Sequence, residues 1–286
     1  RDIIEQIQPS FFELCVAMAF DHFAKEKVDV AIVETGLGGR LDSTNVITPL
    51  LSVITNISYD HQNMLGDTLP EIAFEKAGII KSGVPVVIGE THPESAPVFL
   101  KKAAETGSEI VFADQHFEVV ERREENWQTT FYDVFKDKKL FLENLEVDAA
   151  GPYQAKNLAT AIQAVEVVSR QLLMLDLHAL QRCLKNLRLL TRFIGRWQVI
   201  GQNPTILCDS AHNEAGLRLA FEKIHQLTNS RLTTHDSQLH IVTGFVNDKD
   251  VDKVLGLFPK NVRYYFAKAY IPRGLEAQVL KEKAAA

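Results

Sequence analysis

Long apolar runs and cysteine are both scarce in this sequence of 286 residues. No apolar run reaches the roughly 20 residues that a membrane-spanning helix needs, and the first residues, RDIIEQIQPS, lack the apolar core of a signal peptide. The three cysteines, Cys15, Cys183 and Cys208, lie in apolar patterns. We therefore expect reduced, buried thiols in a cytoplasmic protein that makes no membrane contact.

A strong excess of one charge is also absent. The chain has 31 basic and 37 acidic residues and a formal net charge of −6, which argues against a nucleic-acid-binding surface. A chain of this length with 46% apolar residues is expected to form two packed domains rather than one. We expect the protein to be a monomer.

The motif G-x-x-x-x-G-K-[ST] does not occur in the chain. It forms a loop whose backbone N–H groups hold the phosphates of ATP. The stretch GIIKSG at Gly78–Gly83 has suitable residue types at the wrong spacing, and we interpret it as a helix end followed by a turn. No phosphate loop is therefore predicted within these 286 residues.

Two short apolar runs, Val30–Val33 and Ser52–Ile57, have no polar alternation. Such runs are typical of buried parallel strands in an α/β sheet. Glu34 follows the first run, and Asp60 and His61 follow the second. Because ligands of open α/β sheets bind at the carboxyl ends of strands, we predict that these side chains share one crevice.

Two of these side chains also have a purely structural interpretation. A carboxylate such as Glu34 is costly to bury unpaired, so it needs a cation, a hydrogen-bond donor or a metal ion. A salt bridge to Arg40 would satisfy it. A lone histidine such as His61 is more often structural than functional, but Asp60 beside it favours a metal site.

Lys76 lies in a helical pattern whose apolar face is formed by Ile72, Ala73, Ala77 and Ile80. Burial lowers the pKa of a lysine from its usual value of about 10.4 and leaves a neutral amine that reacts with electrophiles. The alternatives are an ion pair with Glu75 and an ordinary surface lysine. Lys76 is therefore a candidate reactive amine.

The rest of the chain alternates strands and helices, with one interruption. Residues 86–89 and 109–112 continue the parallel sheet. Period-two segments that predict a small antiparallel sheet lie at 117–122, 129–135 and 139–145. After a linker at 188–195, further alternation predicts a second, mostly parallel sheet. The predicted fold class is α/β.

The second predicted domain has polar residues at the end of a strand. Asp209 follows a buried strand, and His212 and Asn213 open a helix. The N–H groups at the start of a helix attract anions. We therefore expect a phosphate or a substrate carboxylate to bind there.

Four motifs spread over most of the chain resemble a single family. They are TGLGGRLDSTN at 35–45, the His61–Leu65–Gly66–Thr68 spacing, EKAGI at 75–79 and DSAHN at 209–213. In this order they are similar to folylpolyglutamate synthase/dihydrofolate synthase, a branch of the ATP-dependent Mur ligase superfamily. The resemblance implies a central (ATPase) domain over residues 1–193, with a parallel sheet and a small antiparallel sheet. It also implies a Rossmann-like C-terminal (glutamate ligase) domain over residues 194–286.

The resemblance further implies ATP and Mg²⁺ as cofactors, with folate or dihydropteroate and L-glutamate as substrates. Its implied metal-site residues are Glu34, His61 and Lys76, and the lysine that matches Lys76 is carbamylated in the family. Its implied ATP contacts are Asn157, Arg196 and Asp209. His212 matches a residue beside the incoming amino acid. The implied pterin-substrate residues are Leu41, Asp42 and Ser43.

The family carries a Gly-Lys-Ser phosphate loop upstream of the residue that matches Arg1. The last residues, LEAQVLKEKAAA, end within a helical pattern without a cap. We therefore expect a fragment that lacks ligase activity on its own, whereas its parent protein is active. The alternatives are another Mur-type amino-acid ligase and a non-catalytic binding module that has lost the phosphate loop.

Overall fold

The computed structural model describes residues 2–172, 176–231, 239–247, 251–260 and 262–285. The chain folds into two compact units, each assembled from segments that are not contiguous in sequence. Unit 1 contains residues 1–119, 134–141 and 156–176, and unit 2 contains residues 120–133, 142–155 and 177–286. The domain boundary between residues 193 and 194 stays a prediction.

Unit 1 contains a three-stranded parallel sheet and several helices. The helices of its first segment are α1 Asp2–Ile7, α2 Phe11–Glu26, α3 Gln62–Leu65, α4 Leu69–Ala77, α5 Ala96–Thr106 and α6 Ala113–His116. The strands are β1 Ser52–Ile54, β2 Val86–Ile88 and β3 Ile110–Phe112, in the order β1-β2-β3. Ser52 lies beside Val86, and Val86 lies beside Ile110. The three apolar runs that begin at 52, 86 and 109 are thus confirmed as parallel strands, although β1 ends at Ile54 and not at Ile57.

Strand β2 is buried on both faces, which explains its unbroken apolar sequence. Val86 and Ile88 pack in one cluster with Phe99 of α5 and with residues of α4. Val87 points the other way and packs with Val167 of helix α7, Gln154–Ser169. Each of these side chains contributes about 1.5–3 kcal/mol through burial, so helices on both faces fix the position of the sheet.

The strand predicted at Val30–Val33 is wrong, because residues 28–35 form irregular structure. Val30 is 61% exposed and Ile32 is 94% exposed. Within the described residues this run has no neighbouring strand, and without one its backbone N–H and C=O groups gain no ladder hydrogen bonds. An apolar run indicates a propensity to form a strand, but a strand also needs a neighbouring strand with which to form hydrogen bonds.

Helix α2 begins with the capping box that its sequence indicates. Ser10 Oγ accepts a hydrogen bond from the Glu13 backbone N–H at 3.2 Å, and Glu13 Oε2 accepts one from the Ser10 N–H at 2.7 Å. No residue of α2 is fully buried, and Phe11 is 83% exposed. The local signal for the start of the helix therefore holds although no residue of the helix is fully buried.

The predicted small antiparallel sheet is confirmed. Its strands are β4 Phe117–Glu125, β5 Thr129–Lys136 and β6 Lys139–Val147, in the order β4-β5-β6. Asp137 and Lys138 join β5 to β6, and both have positive φ, 47° and 66°. Two left-handed residues form the type I′ turn that suits the twist of a two-residue hairpin.

Unit 2 adds helices and two separate strand pairs. The helices are α8 Leu177–Lys185, α9 Leu187–Thr191, α10 Glu214–Arg231, α11 Val251–Leu255 and α12 Ala277–Ala285. The strands are β7 Gln198–Gln202, β8 Thr205–Cys208, β9 His240–Thr243 and β10 Arg263–Phe266. No described helix is both long enough and apolar enough to cross a membrane.

The predicted second sheet is only partly correct. Strands β9 and β10 are parallel, as expected, whereas β7 and β8 are antiparallel. Only two residues, 203 and 204, connect β7 to β8, and so short a connection can only return the chain in the opposite direction. Helix α9 also occupies the first part of the linker predicted at 188–195.

The expectation of buried thiols is wrong, since Cys15, Cys183 and Cys208 are all exposed, and none is in a disulfide. Cys15 lies on α2 and Cys183 on α8, and neither helix has a fully buried residue. Cys208 ends β8, whose residues are all at least partly exposed. Apolar neighbours in sequence do not bury a side chain when the element is covered on few sides.

Candidate active site

A cavity of about 190 Å³ lies within unit 1, where three parts of the chain meet. The glycine-rich loop contributes residues 35–38, the segment after β1 contributes Thr55, Asn56, Ser58, Asp60 and His61, and α3 and α4 contribute Leu65, Ile72 and Lys76. The structure therefore brings Asp60, His61 and Lys76 to one cavity at the carboxyl end of β1.

His61 occupies a backbone conformation that is uncommon for a residue with a side chain. It is the N-cap of α3, with φ of 50° and ψ of 38°. Its backbone N–H donates to Asp60 Oδ1 at 2.9 Å, and its Nε2 lies 3.8 Å from the same oxygen. A left-handed conformation costs free energy for a residue other than glycine and persists only where the surrounding structure imposes it. Such residues are therefore often found at functional sites.

Lys76 enters the cavity from the last turn of α4. Burial lowers the pKa of Lys76, and the charge of Asp60 opposes this effect only in part. The Lys76 ammonium group therefore loses its proton more readily than that of an exposed lysine.

The neighbouring residue Glu75 is already paired. Arg40 Nε lies 3.2 Å from both Glu75 carboxylate oxygens, and Arg40 Nη2 lies 2.9 Å from Oε1. The structural alternatives paired Lys76 with Glu75 and Glu34 with Arg40. Because Arg40 and Glu75 bind each other, neither of these alternative ion pairs is formed among the described residues. Glu34 itself is exposed and lies one residue before Thr35, which lines the cavity.

The glycine-rich loop packs closely on the end of α4. The Arg40 backbone N–H donates to Glu75 O at 2.8 Å. A Cβ added to Gly39 would lie 2.9 Å from Glu75 O and 3.0 Å from Lys76 O, a distance at which only glycine fits without movement. The loop and the helical turn that carries Lys76 therefore form one packed element.

Asp42 organises the same loop. Burial opposes its ionisation, but hydrogen bonds from the Thr44 hydroxyl and backbone N–H and from the Leu37 N–H outweigh burial and lower the pKa of Asp42. Ser43 begins the 3₁₀ helix Ser43–Val46, which Asp42 caps, and Leu41 is 79% exposed. The visible contacts of Asp42 are structural, and its role toward a substrate stays a prediction.

Replacing Gly78 by alanine is expected to lower the free energy of unfolding by about 1–3 kcal/mol through overpacking. Gly78 has φ of −60°, so alanine suits its backbone, but the added Cβ would lie 2.3 Å from Arg40 Cα. The control is Gly256→Ala, where the nearest atom lies at 3.6 Å. Chemical denaturation measures both variants, and equal midpoints would contradict this packing.

In unit 2, one backbone hydrogen bond links Asp209 to the residue that follows Arg196. Asp209 Oδ2 accepts a hydrogen bond from the backbone N–H of Trp197, the residue after Arg196, at 2.8 Å. Arg196 is exposed, and His212 is also exposed, with Nδ1 3.0 Å from Ser210 O. Asn157 is exposed in the first turn of α7 and belongs to unit 1.

Sequence reasoning missed the small polar residues of the cavity wall. Thr55, Asn56 and Ser58 follow β1 directly and line the cavity together with Lys76. The available signal was their position, since polar residues immediately after a buried strand lie at the edge of the sheet where ligands bind. Tyr153, which donates a hydrogen bond to Asp209, was missed too.

Residues 9–165 match the Mur ligase middle domain, more than half of the chain. The chain belongs to the Mur ligase family. Its glycine-rich loop, its cavity and the first part of α7 all lie within the matched residues.

Relatives of this Mur ligase chain include two bacterial enzymes. Folylpolyglutamate synthase of Lacticaseibacillus casei is 35% identical over 251 residues, which are 86% of this chain and 56% of that protein. Dihydrofolate synthase/folylpolyglutamate synthase of Bacillus subtilis is 38% identical over 240 residues, 83% of this chain and 55% of that protein. The chain thus spans little more than half the length of these relatives.

Solved structures of folylpolyglutamate synthases (FPGS) have the same architecture. The Mycobacterium tuberculosis enzyme complexed with ADP gives a TM-score of 0.82 at 30% identity, covering 99% of this chain and 62% of that one. An FPGS–AMPPCP–folate complex gives 0.77 at 33% identity, covering 90% and 62%. The predicted Mur-ligase-type α/β fold is confirmed.

Proposed function

We propose that this Mur ligase chain belongs to an ATP-dependent amide ligase that adds L-glutamate to a folate or dihydropteroate carboxylate. The observation that carries the proposal is the cavity that unites Asp60, His61 and Lys76 in a chain similar to folylpolyglutamate synthases. We further propose that the enzyme is a monomer. We also propose that it is cytoplasmic, because none of its three cysteines is in a disulfide and thiols stay reduced in the cytoplasm.

The chemistry of the cavity suits Mg²⁺ once Lys76 is carbamylated. Mg²⁺ usually binds one or two protein carboxylates, several waters and substrate phosphates. Among the described residues, no three His, Cys, Asp or Glu side chains form a ready-made metal cluster, so a carbamate on Lys76 supplies the oxygen donors that are otherwise too few. We propose that Glu34, His61 and carbamylated Lys76 hold the ion, which offsets phosphate charge when bound.

The remaining residues have proposed roles in binding and orientation. Asn157, Arg196 and Asp209 bind ATP, and the Arg196 guanidinium neutralises charge on the transferred phosphoryl group. His212 orients the incoming glutamate. The residues proposed to hold the pterin substrate are Leu41, Asp42 and Ser43.

The proposed reaction has two steps. ATP transfers its γ-phosphoryl group to the substrate carboxylate, which gives ADP and an acyl phosphate. The glutamate amine then attacks the acyl carbon and loses a proton, phosphate leaves, and an amide remains. The protein contributes chiefly by holding the reacting groups together and by stabilising charge.

The test is an assay of the full-length gene product with ATP, Mg²⁺, L-glutamate and either dihydropteroate or tetrahydrofolate. We expect ADP formation that requires the pterin substrate, and a product heavier by one glutamate residue. The 286-residue chain alone is expected to show no turnover, because the phosphate-loop motif does not occur in its sequence. No ADP formation by the full-length protein with either substrate would contradict the proposal.

A further inference from the structure

The Asp209 carboxylate is the centre of a hydrogen-bond network within unit 2. Its Oδ2 accepts from the Tyr153 hydroxyl at 2.8 Å and from the Trp197 backbone N–H at 2.8 Å. Its Oδ1 accepts from the Ala211 backbone N–H at 2.7 Å. The donors Tyr153, Trp197 and Ala211 lie 56, 12 and 2 residues from Asp209 along the chain, and the most distant of them donates through its side chain.

Tyr153 is held in place by its own surroundings. A Cβ added to Gly151, which has φ of +130°, would lie 3.0–3.2 Å from the Tyr153 ring and hydroxyl. The side chain is half-buried. Burial, together with the bond to Asp209, raises the pKa of Tyr153 well above its ordinary value. The phenol thus remains a hydrogen-bond donor.

Trp197 connects this network to Arg196. The Trp197 ring is fully buried and packs with Ala150, Leu207 and Ala220. Its backbone has φ of 45°, a left-handed conformation that surrounding contacts must hold. Because the Trp197 N–H belongs to the peptide unit that follows Arg196, the oxygen that binds Tyr153 also fixes the backbone from which the Arg196 side chain extends.

We propose that Tyr153 is a positioning residue, whose hydroxyl orients the Asp209 carboxylate and, through the shared Oδ2, the Arg196 backbone. This inference rests on the proposed function, in which Arg196 and Asp209 bind ATP. An ionised carboxylate has about four acceptor sites, and three of those of Asp209 are occupied. The remaining acceptor site is on Oδ1. It points toward a bound nucleotide only while the hydrogen bonds to Oδ2 fix the orientation of the carboxylate.

The test compares Tyr153→Phe with the wild-type full-length gene product. This change removes one hydroxyl and keeps the ring that packs beside Gly151. We expect KM for ATP to rise about tenfold, as for the loss of a hydrogen bond to a charged group. KM for the pterin substrate should stay within about twofold, because the network touches only the proposed ATP-binding residues.

Two further variants separate positioning from general stability. Because Tyr153 acts through Asp209, adding Tyr153→Phe to Asp209→Asn should raise KM for ATP no further, whereas independent sites add their effects. The matched control is Tyr270→Phe, which removes a hydroxyl from a fully exposed tyrosine and should change nothing. Thermal unfolding is measured on every variant.

The outcomes distinguish this inference from the proposed function. No ligase activity in the wild-type protein overturns the proposed function. With an active wild type, an unchanged KM for ATP in Tyr153→Phe, or additive effects in the double variant, overturns the role of Tyr153. If Tyr153→Phe does not fold, Asp209→Asn carries the test, and a normal KM for ATP in that variant overturns the network.

Discussion

Replacing Lys76 by alanine is expected to lower kcat/KM of the full-length gene product by about 10²–10³-fold, the usual cost of removing a group that acts on transition-state charge. Lys76→Arg should not restore activity, because a guanidinium keeps its positive charge and cannot be carbamylated. Acetate or formate should restore part of the activity of Lys76→Ala by placing a carboxylate in the vacated space.

The physical basis is the state of the amine. The Lys76 ammonium group first loses a proton. The neutral Nζ then attacks the carbon of CO₂, an N–C bond forms as one C=O π bond of CO₂ breaks, and a second proton leaves the nitrogen, so the side chain changes from a cation to an anion. Burial favours the neutral amine that this reaction needs, and Glu75 does not compete, since Arg40 binds its carboxylate.

Intact mass, or density at Lys76, measured with Mg²⁺ and bicarbonate checks the modification directly. The matched control is Lys101→Ala on the exposed face of α5, which should leave turnover unchanged. An active Lys76→Arg variant with an unmodified lysine in the wild type would contradict the carbamate.

Arg196→Ala is expected to lower kcat/KM by about 10²–10³-fold without unfolding the protein. Arg196 is exposed, so truncation removes little packing, and a loss of activity reports on its action toward the nucleotide. The control is Arg263→Ala, an exposed arginine on β10. Near-normal turnover of Arg196→Ala in a steady-state assay would remove this residue from the site.

Asp209→Ala is expected to lower activity by a similar factor, but its interpretation differs. The substitution removes the acceptor of three hydrogen bonds, including that from the backbone N–H of the buried Trp197. Each donor left without a partner costs about 1–3 kcal/mol, so thermal unfolding should also shift. A loss of activity accompanied by an unchanged melting temperature would contradict the described network.

The parts of the fold that the sequence predicted best are those that depend on residues close together in the sequence. Ser10 and Glu13 have the Ser-x-x-Glu spacing of a capping box and form one, because both partners lie within one helical turn. The run at Val30–Val33 has the composition of a buried strand, yet Ile32 is exposed. Pairing and cover depend on distant parts of the chain, and a local pattern carries no information about them.

The candidate site shows the same division. His61 and Lys76 were predicted to share a site, and both line one cavity, because the carboxyl end of β1 and the last turn of α4 meet where parallel sheets usually bind ligands. Tyr153 gave no signal. Its partner Asp209 lies 56 residues later, and no spacing rule connects a phenol to a carboxylate at that distance.

The interleaved units also determine the order in which the protein is able to form during synthesis. Unit 1 uses no residue beyond 176. Segments 120–133 and 142–155 of unit 2 contribute to the sheet β4-β5-β6, but their contacts with the rest of unit 2 must await residues from 177 onward. At about 5–20 residues per second, Asp209 leaves the ribosome about 3–11 s after Tyr153. The last segment of unit 2 is therefore synthesised after every segment of unit 1, and the hydrogen bond between Tyr153 and Asp209 forms only once that segment has emerged.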